Sequence, residues 1–126
     1  MALSGAVKGL ILSNIVGNFV KVYLSDSVST IPLGSPIANI SSTLIGGERT
    51  LSWGTATSTS VTTTNSATSN PINYSVPQNK SPRGLVIINS SNTIVCDITL
   101  PTPLPSYSSG DGPYYVRGIT LNLTEV

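Results

Sequence analysis

The chain has 126 residues, a net charge of +1, one cysteine and no histidine. That length makes a single domain, residues 1–126, able to bury about two thirds of its unfolded surface without a disulfide or a structural metal. Without histidine there is no Ser-His-Asp or Cys-His catalysis and no Cys/His zinc site within one chain, and the near-zero charge draws neither nucleic acid nor an acidic membrane.

Charged residues make up 9% of the chain, against about 25% in ordinary soluble domains. Hydroxyls fill the gap, with 20 Ser and 15 Thr. A surface solvated by hydroxyls and amides lacks the charge repulsion that opposes self-association.

In chain order, residues 1–24 are the most apolar. Ser13, Asn14, Gly17, Asn18 and Lys21 interrupt the run, so neither a signal peptide nor a membrane span is expected there. The polar residues do not gather on one side of a helical wheel, so two strands are predicted, 6–12 and 18–24, with Val20, Val22 and Leu24 inward. Val28 to Ile31 reads as a short strand that stops at the turn Pro32-Leu33-Gly34-Ser35-Pro36. An extended segment over 37–45, placed at a sheet edge, leads to a turn at Gly46-Gly47. Glu48 to Trp53 then alternates, with Arg49, Leu51 and Trp53 on one face.

Eleven of the seventeen residues from Gly54 to Asn70 are Ser or Thr. Threonine favours strands with hydroxyl ladders, so a long surface strand followed by a mobile loop is preferred to a flexible linker. Ile72 to Val76 is a strand closed by Pro77. Gly84 to Leu100 is the clearest signal in the chain. An apolar arm, Leu85 to Ile88, fits a strand covered on both faces, and Asn89-Ser90-Ser91-Asn92 makes the turn. In the second arm Ile94, Cys96, Ile98 and Leu100 face inward. The proline-rich 101–105 cannot lie centrally in a sheet. A long last strand runs over 114–124, with Ile119, Leu121 and Leu123 inward. About nine short strands give an all-β fold: a two-sheet antiparallel β-sandwich, jelly-roll-like, or a partly closed barrel.

Little in the chain carries chemistry. Cys96 falls on a core face and reads as an inert thiol. Asp97 and Glu48 could face each other as a glycosidase pair, but with five acids in the chain solvated or salt-bridged strand carboxylates are the preferred reading. Ser109-Gly110-Asp111-Gly112 lacks the alternating oxygen ligands of a calcium loop and reads as a turn. Arg117 has inward parity and needs a partner, for which Asp111 or Asp97 is expected. No cofactor and no metal site are expected. Trp53, Tyr107, Tyr114 and Tyr115 are the candidate contacts for a ligand or a partner, with Tyr114 and Tyr115 expected to straddle a sheet, one in the core and one at the rim.

The opening Met1-Ala-Leu-Ser-Gly-Ala-Val-Lys-Gly-Leu-Ile-Leu-Ser-Asn14, the Ser/Thr tract and the segment Gly84 to Leu100, with the length of the chain, resemble the small proteins of spherical viruses of hyperthermophilic archaea, the Pyrobaculum type. The resemblance implies a viral origin, a place in the virion or the host cytoplasm, and an assembly role; it carries over no functional residue. The leading expectation is therefore a non-enzymatic structural or interaction protein, a homo-oligomer or a partner of another virion protein. It would pair through an edge strand at 6–12 or 37–45. The alternative is a carbohydrate-binding β module that uses the four aromatics.

Overall fold

A computed structural model describes residues 2–66, 68–77, 80–100, 112–116 and 118–124, and these form ten elements. They are a helix α1 (Gly5–Val16), β1 (Lys21–Ser25), a 3-10 helix (Ile37–Thr43), β2 (Leu44–Thr50), β3 (Ser60–Thr62), β4 (Ile72–Val76), β5 (Gly84–Ile88), β6 (Ile94–Thr99), β7 (Gly112–Val116) and β8 (Thr120–Asn122). All strand pairs are antiparallel. Three open sheets result: a four-stranded one in the order β2-β1-β5-β6, and the two-stranded pairs β3-β8 and β4-β7. The protein is thus mostly β, as the alternation of the sequence requires, with eight strands among the described residues.

The apolar arm β5 lies inside the four-stranded sheet, and Leu85, Val86, Ile87 and Ile88 are all buried. Its two faces meet different material. On one, Leu85 and Ile87 join Val22, Leu24 and Ile45, and β4 covers them with Ile72, Tyr74 and Val76. On the other, Val86 and Ile88 pack with Ile94 beneath Tyr23, Ile31, Ile37 and Ile40. The hairpin forms as expected, with one difference. A bulge at Val95 sets Ile88 opposite Ile94 but Ile87 opposite Cys96. One extra residue reverses the side of everything before it, so Ile94 joins the second face while Cys96 and Ile98 keep the first. Asn89 holds the turn: its Oδ1 accepts from the N–H groups of Ser91 and Thr93 at 2.9 and 3.0 Å, and Asn92 takes a left-handed φ of 61°.

Several expected strands are replaced. Residues 6–12 belong to α1, not to a strand. Gly5, Gly9, Leu12 and Val16 recur at helical spacing and form the packed side; a Cβ on Gly5 would lie 3.3 Å from Ser58 Cβ, and one on Gly9 3.5 Å from Thr57 O. The glycines let the helix close on the 57–61 segment, and Leu12 and Val16 bury against Val61, Leu121 and Leu123. Ser4 caps the helix by accepting from the N–H of Val7 at 3.3 Å. The segment 37–45 is also not an edge strand. Pro36 starts the 3-10 helix, whose three-residue turn puts Ile37 and Ile40 on one side, over the sheet. Val28 to Ile31 forms no strand. Ser25 Oγ accepts from the N–H of Ser27, and Ser27 Oγ from that of Ser29, so local bonds occupy donors that a ladder would use.

Gly46-Gly47 stays within β2 rather than ending it. Gly46 takes a φ of 73°, and the pairing jumps from Val22↔Arg49 to Leu24↔Ile45, a bulge that keeps both ends of β2 on β1. Among the described residues of the Ser/Thr tract only Ser60–Thr62 is strand, paired with β8 and joined by a hydroxyl contact from Thr62 to Thr120 at 2.9 Å. The rest of the tract that is described is held by buried Asn65, whose amide bonds Ser52 N, Thr50 O and Asn70 O at 3.0, 3.1 and 2.7 Å. The expected last strand is two strands. Tyr114 lies on β7 opposite Tyr74, whereas Leu121 lies on β8 opposite Val61, so consecutive segments serve different sheets. The inward parity of Ile119, Leu121 and Leu123 holds. Among the described residues no helix is long and apolar enough to cross a membrane.

Candidate functional site

The four candidate aromatics do not come together. Trp53 is half-buried and committed: its Nε1 donates to Phe19 O at 2.8 Å and its ring tilts against that of Phe19 with centroids 6.3 Å apart. An indole committed in this way has no N–H left for a ligand. Tyr107 lies outside the described residues, as do Asp111 and Arg117 and hence the ion pair expected for Arg117. Tyr114 and Tyr115 are neighbours on β7, so alternation sends them to opposite sides. Tyr114 packs on the main core, and burial pushes its phenol above the ordinary tyrosine range. Tyr115 is 62% exposed. The expected core-and-rim division is what forms. Both tyrosines line a groove of about 330 Å³ whose other walls include Leu85, Ile98, Leu100 and Ile119. Its lining is mostly apolar, with Thr120 as the one hydroxyl-bearing aliphatic residue beside the two tyrosines.

The carboxylates are dispersed as well. Glu48 is on β2 and Asp97 on β6, the two outer strands of one sheet, so three strand spacings of about 4.8 Å divide them, roughly 14 Å. Glycosidase pairs sit about 5–9.5 Å apart, so these two cannot share a sugar. Glu48 already has partners: Lys21 Nζ at 2.8 Å and the Tyr23 hydroxyl at 3.3 Å. The hydrogen bond from Lys21 holds the Glu48 carboxyl below its usual range and raises the Lys21 ammonium in turn. Asp26 pairs with Lys80 at 3.3 Å. Cys96 is half-buried, and burial followed by the charge of Asp97 pushes its thiol up, away from the reactive thiolate. Among the described residues no three acids or cysteines gather to hold a metal.

A second hollow was not foreseen. It measures about 380 Å³ and lies between the Ser25–Ile31 segment and the paired ends of β5 and β6. Its floor follows from register. Ser25, Gly84 and Thr99 are direct cross-strand neighbours, and in the next row on the same face Val86 stands beside Asp97. Gly84 contributes no side chain, and its close approach to β6 requires this: a Cβ would meet Ile98 O at 2.8 Å. The floor therefore dips between two hydroxyl-bearing strands. Ser27, Ser29 and Thr30 supply further hydroxyls from the wall, and Arg83 lines the same hollow. The signal for it in the sequence was the run Ser25-Asp26-Ser27-Val28-Ser29-Thr30, of which only the part from Val28 was read as a strand, together with a glycine at a strand start.

Comparison of the chain with protein-family models, with curated proteins and with solved structures finds no match. What the fold defines is a class alone: a mostly β protein of open antiparallel sheets with an apolar helix packed on one of them.

Proposed function

We propose that the chain is a non-enzymatic structural or interaction protein, of viral origin, that assembles with copies of itself or with another protein of a spherical virion. The observation that carries this reading is the outer side of α1. Leu10 is 64% exposed and Val7 40%, beside exposed Asn14 and with Ile15 at 37% on the flank, on a helix whose opposite side is already packed. A helix apolar on both sides is ordinarily covered on both. This surface replaces the edge strands expected at 6–12 and 37–45. The same reading takes β4 and β7 as the second layer of a small sandwich over the four-stranded sheet, a rigid block suited to packing. Light scattering tests it: the chain associates at micromolar concentration and Leu10→Glu leaves a folded monomer. A strictly monomeric parent chain would overturn it. Mass spectrometry of purified virus particles tests the place in the virion.

A second reading, a carbohydrate-binding module, rests on the groove beside exposed Tyr115. It requires glycan-array signal that Tyr115→Ala reduces to background; a parent chain at background disposes of it.

A further inference from the structure

The hollow over Gly84 carries charges of both signs that are not spent on each other. Asp97 is exposed, Arg83 is half-buried, and both line it. Among the described residues neither side chain makes an ion pair or a hydrogen bond, with the other or with any neighbour, whereas Lys21, Glu48, Asp26 and Lys80 are all paired. Beside them Ser29, Thr30 and Thr99 bring hydroxyls that can donate or accept.

A ligand with one charge meets opposition here. An anion drawn to Arg83 is repelled by Asp97, and a cation drawn to Asp97 is repelled by Arg83; a molecule with both charges answers both. The volume, about 380 Å³, is at the small end of ligand sites. Val28, Ile31 and Val86 give it an apolar side for a short carbon skeleton. We infer that this hollow binds a small zwitterion of amino-acid to dipeptide size, its carboxylate toward Arg83, its ammonium toward Asp97, and its polar middle against Ser29, Thr30 and Thr99. This is separate from the assembly surface of α1, so the two readings stand or fall independently.

The test uses glycylglycine as probe, with acetate and methylammonium as single-charge controls, followed by amide chemical shifts in NMR of the full chain. Glycylglycine is expected to produce saturable shifts at Ser27 to Ile31, Gly84 and Thr99, with a Kd of order millimolar. Asp97→Asn and Arg83→Gln are each expected to weaken it roughly tenfold, the share of one charge-assisted bond. Both side chains make no bond to a described neighbour, so both variants keep the parent Tm. The inference is overturned if glycylglycine gives no saturable shift at these amides, if acetate or methylammonium binds equally well, or if binding survives both substitutions.

Discussion

Tyr74 shows how a single side chain ties two sheets. It stands on β4, 3% exposed, and its hydroxyl donates to Val22 O on β1 at 3.0 Å. Burial drives its phenol far above the ordinary value; the Arg49 guanidinium, 4.5 Å over the ring, opposes that shift only in part. A phenol whose folded pKa is raised contributes stability that is complete below the unfolded value of about 10 and is lost as pH climbs beyond it. Unfolding by urea should therefore show a midpoint that falls from about pH 10 upward. Tyr74→Phe should cost about 1 kcal/mol at neutral pH, by leaving Val22 O without its donor, and should flatten the alkaline decline. Tyr23 and Tyr114, both shifted up by burial, leave a residual slope. Cys96 gives an independent reading of burial. A thiol reagent should modify it slowly in the native chain and quickly in urea, since burial and Asp97 both disfavour the thiolate.

At the scale of elements, the β5–β6 hairpin and α1 make opposite points. Gly84→Ala would force a Cβ to 2.8 Å from a backbone oxygen that cannot swing away. A loss of about 1–3 kcal/mol is expected from such crowding, seen as a lower Tm. In α1, Leu12→Ala should cost about 2–5 kcal/mol, because Leu12 is fully buried, whereas Leu10→Glu should change stability by less than about 0.5 kcal/mol. The hairpin was legible because two β-branched arms and an Asn/Ser turn agree with one another, and β4 and β8 were legible by alternation. The helix was not. Its packed side is marked by two glycines, which no hydrophobic pattern registers, and its outer side is apolar too. The bulges at Gly46 and Val95 were hidden for a related reason: period-two parity cannot reveal where one residue is added. Of the candidate contacts, the Tyr114/Tyr115 division could be read from alternation alone. The hollow depends on which strands become neighbours, and so could not be.

For the whole molecule, the question is which surfaces remain available to another chain. The four-stranded sheet has its edges blunted. The start of β6 is bonded by the turn at Pro32 to Pro36, with Gly34 N donating to Ile94 O at 2.8 Å and Ile94 N to Ser35 O at 2.9 Å. The end of β2 is covered by the amides of Asn65 and Asn70 on Thr50 O, and Arg49 Nε reaches Asn73 O at 3.0 Å. Such covers are how sheets resist adding strands. Association through α1 instead would bury side chains without charge. It should survive added sodium chloride, because screening acts on charges, and it should strengthen in sulfate, which favours apolar burial. Light scattering across a salt series distinguishes this from an electrostatic contact, which would weaken steadily.

The apolar cluster under α1 joins residues from near both ends of the chain: Leu12 and Val16 from the helix, Leu121 and Leu123 from around β8. During synthesis the helix emerges before the 57–61 segment that it packs on, and well before Leu121 and Leu123 complete its cover. Until Leu121 and Leu123 join Val61 over the helix, Leu12 and Val16 lack part of their cover, so nascent chains halted before Thr120 should be held by holdase chaperones more than chains that carry β8.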